Sequence, residues 1–332
     1  MRTYVVARDM SAAWSAEPVR SALPERRGSR PEWNHDGIDW PNRAASRFVR
    51  AAGLNWHIQE MGPGSGAVES TAPRPTLLLV HGTGAATHSW RDVMPLLAVN
   101  ARVIGIDLPG HGFTDNPGPR WLAIDAMSKS LVQLLDAIDV QPDVAIGHSA
   151  GAALLVRMAL DGLIAPVGIV SINGALMPFG GIGRTLFPSL ARLLFLNPLA
   201  PRVFAWQAGD RDRVAALLRG TGSDLTERQI DEYWTVMRYP DHISGALGMM
   251  ANWDLEALVR DLPSLACHLQ LIAGSNDKTV PPGDADRIAV LYPSAEHVRI
   301  EGLGHLAHEE APDRIVTLIQ DTVQRWGVGA DR

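Results

Sequence analysis

The stretch Val144-Ala145-Ile146-Gly147-His148-Ser149-Ala150-Gly151 decides how this chain is read. Its apolar start reads as a short buried strand. The small-residue run that continues to Leu160 reads as a helix. Ser149 therefore falls on a sharp strand-to-helix turn, with Gly147 and Gly151 on either side. Such a turn brings backbones so close that side chains at 147 and 151 would clash, and glycine removes them. The turn lifts the serine hydroxyl above the sheet. The first amides of the helix and its positive dipole end face any anion beside Ser149. Gly-x-Ser-x-Gly in this setting is the pattern of a nucleophilic serine.

Working outward, strand and helix patterns alternate on both sides of this turn. Leu77–Val80 is an apolar run ending at His81-Gly82-Thr83-Gly84. Ser89 to Ala98 reads as a helix. Val103–Ile106 is a strand running into Asp107-Leu108-Pro109-Gly110-His111-Gly112. A helix covers Leu122 to Ile138, and Val167–Ile172 is a further strand. Apolar runs separated by helices predict a parallel sheet covered on both faces. From about Leu176 to Trp253 the patterns are helical, with no clear strand. The rhythm resumes at Leu269–Gly274, with a helix near Asp284–Leu291, a strand at His297–Ile300 and a last helix from Pro312 to Trp326. Upstream, Leu54, Trp56 and Ile58 alternate after Gly53 and predict a hairpin. The stretch Gly62–Pro75 reads as a flexible loop. The prediction is a mostly parallel, eight-stranded α/β sheet flanked by helices, with an inserted helical cap. Its parts are an N-terminal arm (1–45), partly extended and partly disordered or packed on the surface, a core (46–175 and 254–332) and the cap (176–253).

A serine hydroxyl is a weak nucleophile until a base removes its proton. The base is expected on a loop after the last strand, where Gly302-Leu303-Gly304-His305 places His305. His308 is its nearest competitor and lies deeper in a helical segment. The imidazolium needs an acid to orient it, and Asp277 follows the strand that ends at Gly274. The end of the preceding strand offers Asn173 instead. An oxyanion needs preorganised donors. The amide of Ala150 is one candidate and that of Thr83 the other, with Gly84 as the alternative to Thr83.

Bulk composition narrows the function further. The chain has 332 residues, 46% apolar and 20% charged, with a formal net charge of −6. That charge gives no electrostatic case for nucleic-acid binding. Cys267 is the single cysteine, so intrachain disulfides and cysteine metal clusters are excluded, and the cytoplasm is the expected compartment. No apolar run is long enough for a membrane helix, so membrane contact is expected to be peripheral at most. Asp9 interrupts the N-terminus before a secretory signal develops. His81, His111 and His148 each lie in a backbone motif and lack metal-site spacing, so no metal is expected. Gly220-Thr221-Gly222-Ser223 lacks the lysine and the strand of a phosphate loop. No cofactor is expected. The apolar stripe of residues 186–196 is expected to pack between cap and core, with the lining of a pocket for a large apolar ligand as the second reading and a membrane-facing patch as the third.

The motifs HGTG at 81–84, DLPGHG at 107–112, GHSAG at 147–151 and GLGH at 302–305 resemble the α/β-hydrolase superfamily. DWPNRAASRFV at 39–49, HGTGAATHSW at 81–90, GHSAGAALLVRMALDG at 147–162, NGALMPF at 173–179 and GHLAHEE at 304–310 resemble its BchO group. Proteins of that group are described as magnesium-chelatase accessory proteins of bacteriochlorophyll synthesis. The resemblance implies a Ser-His-Asp hydrolase acting on an ester or related acyl bond in that setting. It also implies an acyl or tetrapyrrole ligand and chelatase subunits as partners. The alternative it leaves open is a non-catalytic tetrapyrrole-binding or chelatase-assisting chaperone on the same scaffold.

Overall fold

The computed structural model describes residues 28–62, 74–178, 197 and 199–328. Among them eight strands form one sheet: β1 Ser46–Ala51, β2 Leu54–Met61, β3 Thr76–Val80, β4 Arg102–Ile106, β5 Val144–His148, β6 Gly168–Ile172, β7 His268–Gly274 and β8 Glu296–Ile300. The order across the sheet is β1-β2-β4-β3-β5-β6-β7-β8. β1 and β2 form the antiparallel hairpin, β2 runs antiparallel to β4, and all later pairings are parallel. Parallel strands buried on both faces explain the continuous apolar runs. In β3, Leu78 and Val80 enter one core while Leu77 and Leu79 enter the other. The first core is closed by helices α3 (Ile124–Ala137) and α4 (Ala150–Leu160). The second is closed by α2 (Val93–Leu97) and by the C-terminal helix Pro312–Arg325.

The helix read over Ser89–Ala98 is split. A 3-10 turn spans Thr87–Trp90 and α2 starts at Val93. Pro95 is the reason: it has no N–H, and its ring opposes the carbonyl four residues earlier, so an α-helix can begin only just before it. That carbonyl, Arg91 O, accepts from Asn42 Nδ2 at 3.0 Å instead.

Residues 28–45 of the arm carry a short helix, α1 (Trp33–Asp36), and lie packed on the surface, with Pro31, Trp40 and Pro41 buried. Trp40 is buried with Ala86, Phe113 and Val236, and its indole donates to Thr87 Oγ1 at 3.0 Å. Arg30 pairs with Asp115, while Arg26 and Arg27 lie outside the described residues. So do most of the expected loop after Gly62 and the apolar stripe 186–196.

Between β6 and β7 come α5 (Ala200–Gln207), α6 (Arg211–Gly220), α7 (Glu227–Met237) and α8 (Pro240–Asn252). They carry an apolar cluster of their own, which includes Val214, Leu218, Ile230 and Tyr233 and reaches Ala85 and Leu306 of the sheet's loops. α9 (Leu255–Asp261) leads back to β7 and packs on α4. No helix among the described residues is long and apolar enough to cross a membrane.

Candidate active site

β5 runs directly into α4 through Ser149, whose backbone has φ 51 and ψ −119. A non-glycine residue in that region is strained by roughly 1–3 kcal/mol, and its surroundings must hold it there. They do so with three backbone bonds: Ser149 N donates to Ile172 O at 3.0 Å, and Ser149 O accepts from Ala152 N and Ala175 N at 3.2 and 3.0 Å. A Cβ at Gly147 would collide with the backbone of Ala152, and one at Gly151 with Val80 O and His81 O. The two glycines are thus required by close approach, as the turn predicts. Ser149 itself is 8% exposed.

Asp277 follows β7 and His305 follows β8. Asp277 Oδ1 accepts from Thr279 N and Val280 N at 2.7 and 2.9 Å. Asp277 Oδ2 accepts from His305 Nδ1 at 2.8 Å and from Asn173 Nδ2 at 2.8 Å. The carboxylate therefore has four donors and a fixed plane. With Nδ1 donating to Asp277, His305 keeps Nε2 as its free acceptor. Ser149 and His305 line the same cavity. His308 sits elsewhere: it is fully buried, and its Nε2 meets Ser89 Oγ at 2.8 Å. Burial first, then His305 and Arg91, push its pKa down to about 3.

His148 lies between these two histidines, with ring centroids 4.7 Å from His305 and 4.5 Å from His308. Its Nε2 donates to His305 O at 2.9 Å. Burial and the two neighbouring rings hold it neutral. The loop after β3 lies against this corner, since a Cβ at Gly82 would stand 2.8 Å from His148 Nδ1 and 2.9 Å from Ser149 Cβ. Thr83 and Ala150 both line the cavity beside Ser149. Ala150 is the first residue of α4, where an amide has no partner within the helix. All five residues singled out from sequence thus meet around one space, Asp277 from behind His305.

The cavity has a volume of about 570 Å³. Leu217 and Leu218 of α6, Met237 of α7, Met249 and Met250 of α8, and Trp253 form its apolar wall. Asp254 and Glu256 are exposed acids on the lining, and no Lys or Arg appears among the described lining residues. Behind the wall, Tyr233 donates to Glu309 Oε1 at 2.7 Å, as does Ser89 at 2.6 Å. Arg91 pairs with Glu309 Oε2 at 2.6 Å and with Glu232 of α7. Burial raises the Glu309 pKa against the pull of Arg91. Among the described residues no group of three or more His, Cys, Asp or Glu is arranged to hold a metal ion.

Sequence reading missed several contacts that shape this site. In sequence Asn173 stands where an acid could, and in the fold it is a donor to the acid Asp277. The rejected phosphate-loop segment has a different part: Thr221 O accepts from Lys278 N at 3.0 Å, and Ser223 Oγ accepts from Leu306 N at 2.8 Å. One turn of the cap thereby touches the loops that carry Asp277 and His305. No local sequence signal marks such contacts, because their partners are 57 to 104 residues away.

Comparison with known proteins agrees with this architecture. A family model described as the alpha/beta hydrolase family matches residues 77–318. The chain is 36% identical over 286 residues to the magnesium-chelatase 30 kDa subunit of Rhodobacter capsulatus, covering 86% of this chain and 97% of that one. It is 32% identical to 2-hydroxy-6-oxo-2,4-heptadienoate hydrolase of Pseudomonas putida, covering 84% and 96%. Among solved structures, an alpha/beta hydrolase fold protein from Burkholderia ambifaria superposes with a TM-score of 0.68 at 20% identity, covering 83% of this chain and 97% of that chain. A parallel sheet in this order, a tight turn presenting Ser149, and a family match over most of the chain place this protein in the alpha/beta hydrolase family, where it is similar to the BchO-type magnesium-chelatase proteins.

Proposed function

We propose that this protein is a serine hydrolase of an apolar ester or related acyl bond and serves magnesium chelation in bacteriochlorophyll synthesis. In this reading Ser149 Oγ attacks the acyl carbonyl while His305 Nε2 takes its proton. Asp277 holds His305 through Nδ1 and stabilises the imidazolium. The amides of Thr83 and Ala150 receive the oxyanion. His305 then returns the proton to the leaving alcohol. Water, deprotonated by His305, releases the acyl group from Ser149. The observation that carries the reading is the 2.8 Å contact of His305 Nδ1 with Asp277, made by a histidine that shares a cavity with a strained serine. The apolar wall supports an apolar acyl or alcohol portion.

A second reading has one specific observation in its favour. The relative from Rhodobacter capsulatus is named for a chelatase and aligns over nearly its whole length. In this reading the cavity binds a tetrapyrrole, and the protein assists chelatase subunits without acyl chemistry. Complementation separates the two. A deletion strain should make less bacteriochlorophyll and accumulate metal-free porphyrin. Failure of Ser149→Ala to restore pigment at normal protein level supports catalysis. Full rescue supports the scaffold, and a deletion strain with normal pigment removes the chelation role from both.

A further inference from the structure

The loop His81–Gly84 is held by two imidazoles, its own His81 and His242 from α8. Leu108 N donates to His81 Nε2 at 2.9 Å, so that ring carries its proton on Nδ1 and donates to Gly82 O at 2.7 Å. Gly112 N donates to His242 Nδ1 at 3.0 Å, so His242 carries its proton on Nε2 and donates to Gly84 O at 3.0 Å. His242 is 1% exposed. Burial depresses its pKa to about 4, in keeping with the neutral form that both bonds require.

These bonds connect through peptide planes. A trans peptide is rigid, with its C=O and N–H pointing in opposite directions. Fixing Gly84 O therefore fixes Ala85 N–H, which donates to Gly82 O at 3.2 Å. Fixing Gly82 O in turn aims Thr83 N–H the other way. Gly84, at φ 78, permits the turn between the two planes. The helix bearing His242 sits close enough for this, since a Cβ at Gly245 would collide with Gly110 O.

We propose that His242 is a positioning residue that sets the direction of the Thr83 amide from the cap, through two peptide planes joined by the Ala85 N–H to Gly82 O bond. The proposal rests on reading Thr83 as an oxyanion donor. Seating of α8 on the core and stabilisation of the transition state are then one event.

Two variants test this. His242→Asn keeps an acceptor for Gly112 N but is too short to reach Gly84 O. His242→Gln keeps both an acceptor and a donor. Losing one oxyanion donor outright costs about 10²–10³ in kcat. Misdirecting one should cost His242→Asn roughly 10–100-fold in kcat with KM changed less than about 3-fold, and His242→Gln should recover most of it. The preference for an oxygen ester over the matching thionoester should also shrink in His242→Asn. An unchanged kcat, or equal losses on both esters, overturns the proposal. If the wild type turns over no ester, the hydrolase reading fails, and the test moves to the Thr83 amide resonance. A shift in His242→Asn that reverts in His242→Gln supports the relay. A Thr83 amide that does not move overturns it.

Discussion

Asn173 and His305 donate to the same oxygen of Asp277, each at 2.8 Å, from the ends of two different strands. Asn173 can do so because its backbone is left-handed, with φ 46, a region asparagine tolerates better than most residues. The bond fixes the carboxylate that fixes the imidazole. Replacing Asn173 by glycine removes the side chain and keeps the backbone. A hydrogen bond to a charged group is worth about 1.5–3 kcal/mol, but two amides and His305 still hold Asp277. We expect Asn173→Gly to lower kcat roughly 10-fold with little change in KM. Steady-state kinetics on an activated ester check this, and an unchanged kcat removes Asn173 from the account.

The buried group of Arg91, Glu232 and Glu309 fastens α7 to the core. Removing one partner of a buried pair costs about 3–5 kcal/mol, because the other charge is left without compensation. Arg91→Met should destabilise the protein by that order, and adding Glu309→Gln should recover part of the loss. Urea unfolding of the wild type and the two variants measures it. A double variant no better than the single one contradicts the role of Arg91 as counter-charge.

Burial holds several histidines neutral, among them His308 with a pKa near 3 and His242 with one near 4. In the unfolded chain a histidine titrates near ~6.5. Below that value the unfolded state binds protons that the folded state refuses, so stability is full above about pH 6.5 and falls as the pH drops toward 4. His308→Gln removes one such group. The slope of unfolding free energy against pH should shrink by up to one proton, about 1.4 kcal/mol per pH unit. Unfolding at a series of pH values reads this directly, and identical slopes would count against a neutral buried His308.

The cavity wall predicts selectivity by charge. An anionic substrate would lose solvent against Leu218, Met237 and Met249 and meet Asp254 and Glu256. An unpaired charge in such surroundings is costly. A neutral hexanoate ester should exceed the half-ester of adipic acid by roughly 10–100-fold in kcat/KM. Preference for the acid would reverse this view of the pocket.

How much was legible in the sequence depends on the range of each interaction. β3 and β5 were plain because each is an unbroken apolar run ending in a glycine-bearing motif. The placement of Ser149, Asp277 and His305 was legible because each follows a readable strand in a set order. The break before Val93 is legible in Pro95 itself, because a proline cannot stand inside an α-helix without loss. Trp40 falls in the arm with no signal of its burial, because its partners Phe113 and Val236 are far along the chain and a lone tryptophan has no period. His242 carries no local signal in the sequence. Its significance comes from Gly84 O and Gly112 N, which only the folded chain brings to it.

The central claim is that Ser149 is an activated nucleophile, and a fluorophosphonate probe tests it most directly. The folded wild type at neutral pH should be labelled at Ser149, as read by peptide mapping. Labelling should vanish in Ser149→Ala and fall strongly in His305→Ala, because the base is what activates the hydroxyl. A folded wild type that takes up no probe, or labelling that survives Ser149→Ala, contradicts the account.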